Sequence, residues 1–133
     1  MIVCLDTNIV IYAVERNPIW SPKVAARLSA ATAAGDSFAV SDAARLECLV
    51  GPLQKGDASL ATDYQNFFAS TQIRMLSVSP AVWEMAASIR ARHGFEAVDA
   101  IHLASAVEAG CDLFLTNDVR LAKCSDILVV VMA

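Results

Sequence analysis

The chain has 133 residues, of which 56% are hydrophobic and 18% are charged, and this composition predicts one compact soluble domain with a sizeable core. The formal net charge of -4 and the pI near 5.0 argue against long-range attraction to nucleic acid, which usually requires a strongly basic surface. The apolar N-terminus has no basic leader and is interrupted by Asp6, so we expect neither a signal peptide nor a membrane span.

Short apolar runs alternate with longer alanine-rich segments along the chain. The strand-like runs are residues 2–5, 38–40, 74–78, 113–116 and 127–131. Because strands that alternate with helices form parallel sheets, the pattern predicts an α/β fold. We find no internal repeat or linker, so nothing in the sequence divides the chain.

Punctuating residues mark the helices in the intervening segments. Ser21, Pro22 and Gly35 predict the start and the stop of one helix, and the segment from Ser79–Pro80 to Gly94 repeats that arrangement. Further helices are expected over residues 41–50, where Gly51–Pro52 would end the helix, over residues 56–70, and over residues 97–109 before Gly110. The large apolar residues expected in the core include Phe67, Phe68, Met75, Trp83 and Met85.

The four cysteines are scattered and form no CxxC pair. They are Cys4, Cys48, Cys111 and Cys124, and the first two lie in apolar patterns typical of buried thiols. We therefore expect a reducing cytoplasm and no structural zinc.

Acidic residues lie at positions where chemistry is expected in such a fold. Asp6 follows the first strand-like run and Asp118 the fourth, and the carboxyl ends of parallel strands are where ligands bind. Asp99 is in the first turn of its helix, where the helix dipole favours an anion. Glu47 lies in a mostly apolar helix, where an inward-facing isolated carboxylate would be costly.

Each acidic residue also has a purely structural interpretation. Asp6 and Asp118 can cap the helices that follow them, Asp99 can complement a helix dipole, and Glu47 can face solvent. His102, one turn after Asp99, is interpreted as a packed or hydrogen-bonded helix residue rather than a ligand.

If the four acids converge, their repulsion raises some of their pKa values and destabilises the fold unless a cation neutralises them. The donors are hard oxygens without a His or Cys cluster, which favours Mg²⁺ or Mn²⁺ over zinc. Divalent ions held by carboxylates bind phosphate oxygens and activate water. The resulting hypothesis is metal-assisted phosphodiester hydrolysis.

The sequence around these acids resembles a known family. The blocks "LDTNIVIY", "RLECLVGPL", "VDAIHLASA" and "FLTNDVRL", in this order and spacing, are similar to a PIN-domain ribonuclease of the VapC toxin type. The resemblance extends over essentially the whole chain. It implies a single PIN domain over residues 1–133, with a three-layer α/β/α fold around a central parallel sheet of about five strands.

The resemblance also implies roles for individual residues. The implied catalytic and metal-binding cluster consists of Asp6, Glu47, Asp99 and Asp118, with Asp6 and Asp99 as direct ligands. The implied polar contacts that aim these acids or hold their turns come from Thr7, Asn8, Thr116 and Asn117. Arg120, two residues past Asp118, is a candidate phosphate contact, with a simple surface charge as the alternative.

The function implied is that of a cytoplasmic endoribonuclease that depends on Mg²⁺ or Mn²⁺, the toxin of a VapBC-type toxin–antitoxin system. Its implied substrate is tRNA or rRNA, and its implied partners are a VapB-like antitoxin that blocks the active site and a second copy in a homodimer. Glu47 is our first choice for the carboxylate that accepts a proton from water, because it alone lies outside the strand ends and the helix start.

Other classes of function remain open at this stage. A phosphoacceptor receiver would pair two acids after the first strand, and a haloacid-dehalogenase-like phosphatase would need an acid where Asn8 stands. A non-catalytic PIN-fold interaction module and a housekeeping RNA-processing nuclease without an antitoxin are the alternatives within the resembled fold.

Overall fold

A computed structural model describes all residues from 1 to 133 and contains one five-stranded sheet. The strands are Ile2–Leu5 (β1), Ser37–Ser41 (β2), Ile73–Leu76 (β3), Leu113–Thr116 (β4) and Leu128–Val131 (β5). Every neighbouring pair is parallel, and the strand order is β3-β2-β1-β4-β5. The predicted parallel sheet of about five strands is confirmed, and its strand ends agree with the sequence-based ones within two residues.

Helices cover both faces of this sheet. They are Thr7–Val14 (α1), Trp20–Ala33 (α2), Ala43–Lys55 (α3), Ala58–Ala69 (α4), Pro80–His93 (α5) and Ala97–Glu108 (α6), with a 3-10 helix at Val119–Lys123. Successive strand residues point to opposite faces, so Val3 and Leu5 pack with α1–α4, whereas Cys4 packs with α5 and α6. The three-layer α/β/α architecture is therefore confirmed.

The predicted ends of α5 are correct. Ser79 is the N-cap and its side chain accepts a hydrogen bond from the Val82 amide (3.3 Å), with Pro80 at the first helical position. Gly94 ends the helix in the left-handed conformation, at a φ of 73°.

The predicted start of α2 is wrong. Ser21 does not cap the helix; it lies inside the first turn, and the helix begins at Trp20. The side chain of Asn17 instead accepts hydrogen bonds from the amides of Ile19 (3.0 Å) and Trp20 (2.9 Å). Pro22 is tolerated because first-turn amides lack partners within a helix.

Helix α3 also differs from its prediction, because it runs through Pro52 to Lys55, and Ser41 belongs to β2 instead. Ala44, Cys48 and Pro52 recur every four residues and are all buried, so one continuous helical face packs against the core. This tertiary packing outweighs the hydrogen bond that Pro52 cannot donate.

Two further expectations concern burial. Cys4 and Cys48 are buried free thiols, as predicted. Trp83 was expected in the core and this is wrong, since its residue is 55% exposed on α5. No helix in the structure combines the length and the hydropathy required to cross a bilayer.

The strand order determines where a site forms. The chain first builds the sheet outward from β1 to β2 and β3, then returns to add β4 and β5 on the other side of β1. Leu5 of β1 pairs with Leu115 of β4, so the carboxyl ends of these strands lie side by side. This is the reversal point at which open α/β sheets bind ligands.

Candidate functional site

Asp6 is a buried carboxylate at the carboxyl end of β1, and its residue is only 4% exposed. It accepts hydrogen bonds from the Thr7 amide (2.8 Å), the Thr116 hydroxyl (2.7 Å) and the Asn8 side-chain amide (3.2 Å). Burial raises its pKa above the ordinary value, and repulsion from Glu47 adds to this, although attraction to His102 and the hydrogen bonds from Thr116 and Thr7 act in the opposite direction. None of the ion pairs in the chain includes Asp6, so its charge has no cationic partner within 4.0 Å.

Polar residues join α1 to the end of β4 around this carboxylate. The Asn8 side-chain amide donates to Thr116 (3.3 Å), and the Asn8 oxygen accepts from the Asn117 amide (3.3 Å). Thr116 also accepts from the Asp118 amide (3.0 Å), and the Asn117 side chain donates to the Tyr12 hydroxyl (3.1 Å). These contacts connect the turn after β1, which carries Asp6, to the turn after β4, which carries Asp118.

Glu47 lies on α3 and faces the same region. Its Oε1 atom accepts a hydrogen bond from the Thr7 hydroxyl (2.6 Å) and lies 2.6 Å from Nε2 of His102 on α6. Burial raises its pKa, but the hydrogen bonds from His102 and Thr7 outweigh this cause, so the pKa of Glu47 is below its ordinary value. Glu47 therefore remains partly accessible, with 36% of its side chain exposed, while two hydrogen bonds hold its Oε1 atom.

His102 is a buried hydrogen-bonded residue, as the sequence predicted. Its Nε2 atom is 3.0 Å from the Thr7 hydroxyl as well as close to Glu47, whereas its buried Nδ1 atom has no hydrogen-bond partner. We place the proton on Nε2, because both of its neighbours are oxygens and an Nδ1 proton would have no acceptor. The imidazole then holds one oxygen of Glu47 in place.

Asp99 and Asp118 share a cation. The Arg120 guanidinium binds Asp118 with a closest distance of 2.6 Å and lies 3.7 Å from Asp99. Arg120 lowers the pKa of Asp118, mainly through this hydrogen bond. Burial raises the pKa of Asp99, and repulsion from Asp6 and Asp118 adds to this despite attraction to Arg120. Asp118 also caps the 3-10 helix, since it accepts from the Arg120 amide (3.0 Å).

The acids share one region but do not form a closed ligand set. No three of their carboxylates have oxygens that all lie within 4.8 Å of one another. This arrangement fits Mg²⁺, which binds through one or two carboxylates and keeps several waters, better than an all-protein cage. The buried, unpaired charge of Asp6 is the observation that makes the donor set suitable for a cation.

Two contacts at the site were not assigned from the sequence. They are the direct contact of His102 with Glu47 and the hydrogen bond from Asn117 to Tyr12. Helical spacing places His102 near Asp99 and Tyr12 near Asn8, but no local signal indicates either contact, because each joins residues far apart in the sequence.

The fold and the acidic site together define a class of protein. The PIN domain family model matches residues 3–126, nearly the entire chain, and the chain belongs to the PIN domain family. No curated protein sequence matches it.

Solved structures of the same fold come from toxin–antitoxin systems. A chain in the crystal structure of VapBC2 from Rickettsia felis, bound to a promoter DNA fragment, has a TM-score of 0.80 and 17% identity, with 98% of each chain covered. VapC20 from Mycobacterium tuberculosis, a sarcin–ricin loop cleaving toxin, has a TM-score of 0.69 and 18% identity over 84% of this chain and 86% of that one. A toxin–antitoxin complex from Klebsiella pneumoniae has a TM-score of 0.71 and 20% identity, covering 96% and 95%. At such identities the likeness establishes a shared fold.

The raised pKa of Asp99 predicts that Asp99→Asn stabilises the metal-free protein at pH 7. A carboxyl whose pKa is raised on folding destabilises the folded state when ionised, so the gain should vanish below the ordinary pKa near 3.8. We expect Tm to rise by a few degrees, or roughly 1 kcal/mol. Thermal unfolding with EDTA at pH 7 and pH 3.5 measures this. The exposed Asp63→Asn serves as control, and a lower Tm for Asp99→Asn at pH 7 would contradict the assignment.

The hydrogen bond from Thr7 predicts the protonation behaviour of Glu47. Thr7→Val keeps the shape of the side chain but removes the hydroxyl, so the pKa of Glu47 should rise. Carbon-13 NMR titration of the Glu47 carboxyl measures the change. Thr7→Ser retains a donor and should leave the titration near that of the parent; an unshifted Glu47 in Thr7→Val would disprove the role of this bond.

Proposed function

We propose that this PIN domain is an endoribonuclease that depends on Mg²⁺ or Mn²⁺ and acts as the toxin of a VapBC-type toxin–antitoxin system. The observation that carries the proposal is the buried carboxylate of Asp6, which lacks a cationic partner beside Asp99 at the carboxyl edge of the sheet. A folded domain keeps such an unstable arrangement chiefly where function requires it.

The residues that would hold the metal are Asp6 and Asp99 directly, with Asp118 and Glu47 completing the acidic cluster. A divalent cation held by these residues would supply positive charge to the scissile phosphate and would lower the pKa of a water molecule bound to it. Thr7, Asn8, Thr116 and Asn117 keep the carboxylates oriented through the hydrogen bonds described above. Hard oxygen donors and loose spacing support Mg²⁺ or Mn²⁺.

Glu47 remains our assignment for the residue that accepts the proton from water. Both hydrogen bonds to its carboxylate reach Oε1, which leaves Oε2 free to receive a proton. Its lowered pKa keeps it ionised at neutral pH, as a general base must be, although the same shift reduces its proton affinity. Thr7 and His102 fix the carboxylate in one orientation.

The proposed substrate is structured RNA of the tRNA or rRNA class. VapC20, which shares the fold, is a toxin that cleaves the sarcin–ricin loop. The net charge of -4 gives this chain no broad basic surface, so RNA binding would depend on local contacts. Arg120 is the cation beside the acidic cluster, and it is exposed enough to reach a phosphate.

The proposed partners are a VapB-like antitoxin and a second copy of the chain. Structural relatives come from VapBC complexes, which supports an antitoxin. Helix α3 exposes Leu46, Val50 and Leu53 on one apolar face, and such faces are typical of protein interfaces. A cytoplasmic location follows from an RNA substrate and reduced thiols.

Two alternatives share the fold. A housekeeping RNA-processing nuclease would use the same acidic cluster without an antitoxin, and a neighbouring reading frame for a DNA-binding antitoxin distinguishes it from a toxin. A non-catalytic interaction module would not need the destabilising acids at the sheet edge, which is why we favour an enzyme.

The proposal predicts metal-dependent cleavage of total cellular RNA by the purified protein. Discrete fragments should form with Mg²⁺ or Mn²⁺ and disappear with EDTA. Asp6→Asn should reduce cleavage at least 100-fold, since it removes a charge that a metal ligand must supply. The exposed Asp63→Asn, with the same change of charge, should cleave like the parent.

Gel electrophoresis of identically purified proteins provides the readout. Cleavage that persists in EDTA and in Asp6→Asn would indicate a contaminant and count against the enzyme. If defined tRNA and rRNA substrates were also left intact, the non-catalytic module would be the better description.

Arg120 gives a second prediction, which concerns both metal affinity and RNA cleavage. A surface arginine would leave metal affinity unchanged when replaced, but Arg120 pairs with Asp118 and approaches Asp99. Arg120→Ala should therefore strengthen Mg²⁺ binding, because a competing cation is removed. At saturating Mg²⁺ it should lower the kcat/KM for RNA, roughly tenfold for a lost charged hydrogen bond of 1.5 kcal/mol.

Calorimetric Mg²⁺ titration and RNA cleavage rates measure the two effects separately. Arg16→Ala, at an exposed position, controls for the loss of one positive charge. Cleavage as fast as the parent at saturating Mg²⁺ would disprove the phosphate contact.

A further inference from the structure

A second group of metal-ligating side chains lies outside the acidic cluster. A ring nitrogen of His93, the thiol of Cys124 and a carboxylate oxygen of Asp126 all lie within 4.8 Å of one another. His93 is the last residue of α5, Cys124 follows the 3-10 helix directly, and Asp126 lies in the segment before β5. The end of α5 and the segment that connects the 3-10 helix to β5 thus converge here.

The chemistry of these donors differs from that of the acidic cluster. One nitrogen, one sulfur and one oxygen form a borderline-soft set, which suits Zn²⁺ and disfavours Mg²⁺ or Ca²⁺. Zinc sites accept Cys, His and Asp in a tetrahedral arrangement, and three protein ligands leave the fourth position to water. Cys124 is a free thiol whose residue is only 4% exposed. Its sulfur is therefore not committed to a disulfide.

His93 adds an independent observation. Its Nε2 atom is buried and has no hydrogen-bond partner. Buried polar atoms are nearly always paired, and one that is not often marks a missing ion or water. A metal ion bound to a ring nitrogen of His93 would give the imidazole a binding partner. The neighbouring Phe95 ring, stacked on His93 with centroids 5.2 Å apart, restricts the imidazole further.

Asp126 is held in a fixed orientation by Arg92, which donates to both carboxylate oxygens at 2.7 Å. This bidentate pair does not exhaust the carboxylate, because each ionised oxygen can accept a second contact. Carboxylates that bind metals are commonly hydrogen-bonded by an outer residue in this way. Arg92 can therefore position Asp126 while one of its oxygens binds a cation.

We propose that His93, Cys124 and Asp126 form a Zn²⁺ site that links the end of α5 to the segment between the 3-10 helix and β5. The site is independent of the proposed nuclease activity and uses none of its residues. It departs from the expectation of no structural zinc, which was based on the lack of a CxxC pair; here one ligand comes from the end of α5 and two come from the segment before β5.

Zinc titration of the full chain tests the proposal. Protein freed of metal with a chelator and then desalted is titrated with Zn²⁺ against a chromogenic chelator, in millimolar Mg²⁺ to occupy the acidic cluster. We expect one equivalent to bind per chain and Tm to rise with Zn²⁺. His93→Gln and Cys124→Ala should each weaken binding more than tenfold, since loss of even an outer hydrogen-bond partner costs roughly that much.

Two controls separate this site from others. Cys111→Ala removes a thiol outside the group and should bind like the parent, and so should Asp6→Asn, which alters the acidic cluster. Co²⁺ in place of Zn²⁺ should give a sulfur-to-metal charge-transfer band that is absent in Cys124→Ala, provided that circular dichroism shows the variant is folded.

The outcomes decide the proposal in either direction. Stoichiometric binding that depends on both His93 and Cys124 supports it. Absence of Zn²⁺ binding, or binding that is unchanged in folded His93→Gln and lost in Asp6→Asn, overturns it. If Cys124→Ala does not fold, His93→Gln and Asp126→Asn test the same site, because both residues are partly exposed and their replacement disturbs the core less.

Discussion

The central constraint in this protein is a carboxylate that the fold removes from water without giving it a cation. Asp6 keeps its place because Thr7, Asn8 and Thr116 donate to it, and these donors join α1 to the end of β4. The same carboxylate sits where the sheet reverses its direction of growth. Hydrogen bonds therefore supply orientation, while the unbalanced charge supplies the capacity to bind a metal. The buried charge of Asp6 thus lowers the stability of the metal-free fold, while the same charge favours metal binding.

Around Asp6, the other acids are controlled in different ways. Asp118 is neutralised by Arg120, Glu47 is held by Thr7 and His102, and Asp99 remains the least compensated of the three. The result is a graded set of carboxylates, with pKa values moved apart by burial, hydrogen bonds and ion pairing. If all four carboxylates had the same environment, their pKa values would not differ in this way.

Much of this organisation was predictable from the sequence, because local signals agreed with the tertiary structure. The Ser79–Pro80 start and the Gly94 stop of α5 are local capping signals, and both were correct. Prediction failed where packing overrides local preference: α3 continues through Pro52 because Ala44, Cys48 and Pro52 share a buried face. Trp83 has a large hydrophobic side chain typical of a core residue, yet it faces solvent on α5.

For the site, the sequence indicated four candidate acids and placed Asp6 and Asp118 at strand ends, but the roles of all four remain proposals. It could not give the contact of His102 with Glu47, since this contact joins α6 to α3, nor the direction in which the Arg120 side chain turns to pair with Asp118 two residues away. Pairs at one-turn spacing were visible in the sequence, whereas contacts between α3 and α6 were not. The group formed by His93, Cys124 and Asp126 was invisible for the same reason.

The exposed leucines of α3 have a consequence for handling the protein alone. Leu46 and Leu53 are 69% and 70% exposed, and Val50 lies beside them. An isolated chain therefore exposes a hydrophobic patch that favours self-association. The net charge of -4 keeps molecules apart at low ionic strength, but salt screens this repulsion. Concentrated solutions in high salt should therefore cluster through α3. Co-production with a partner that covers this helix is the direct way to keep the chain in solution.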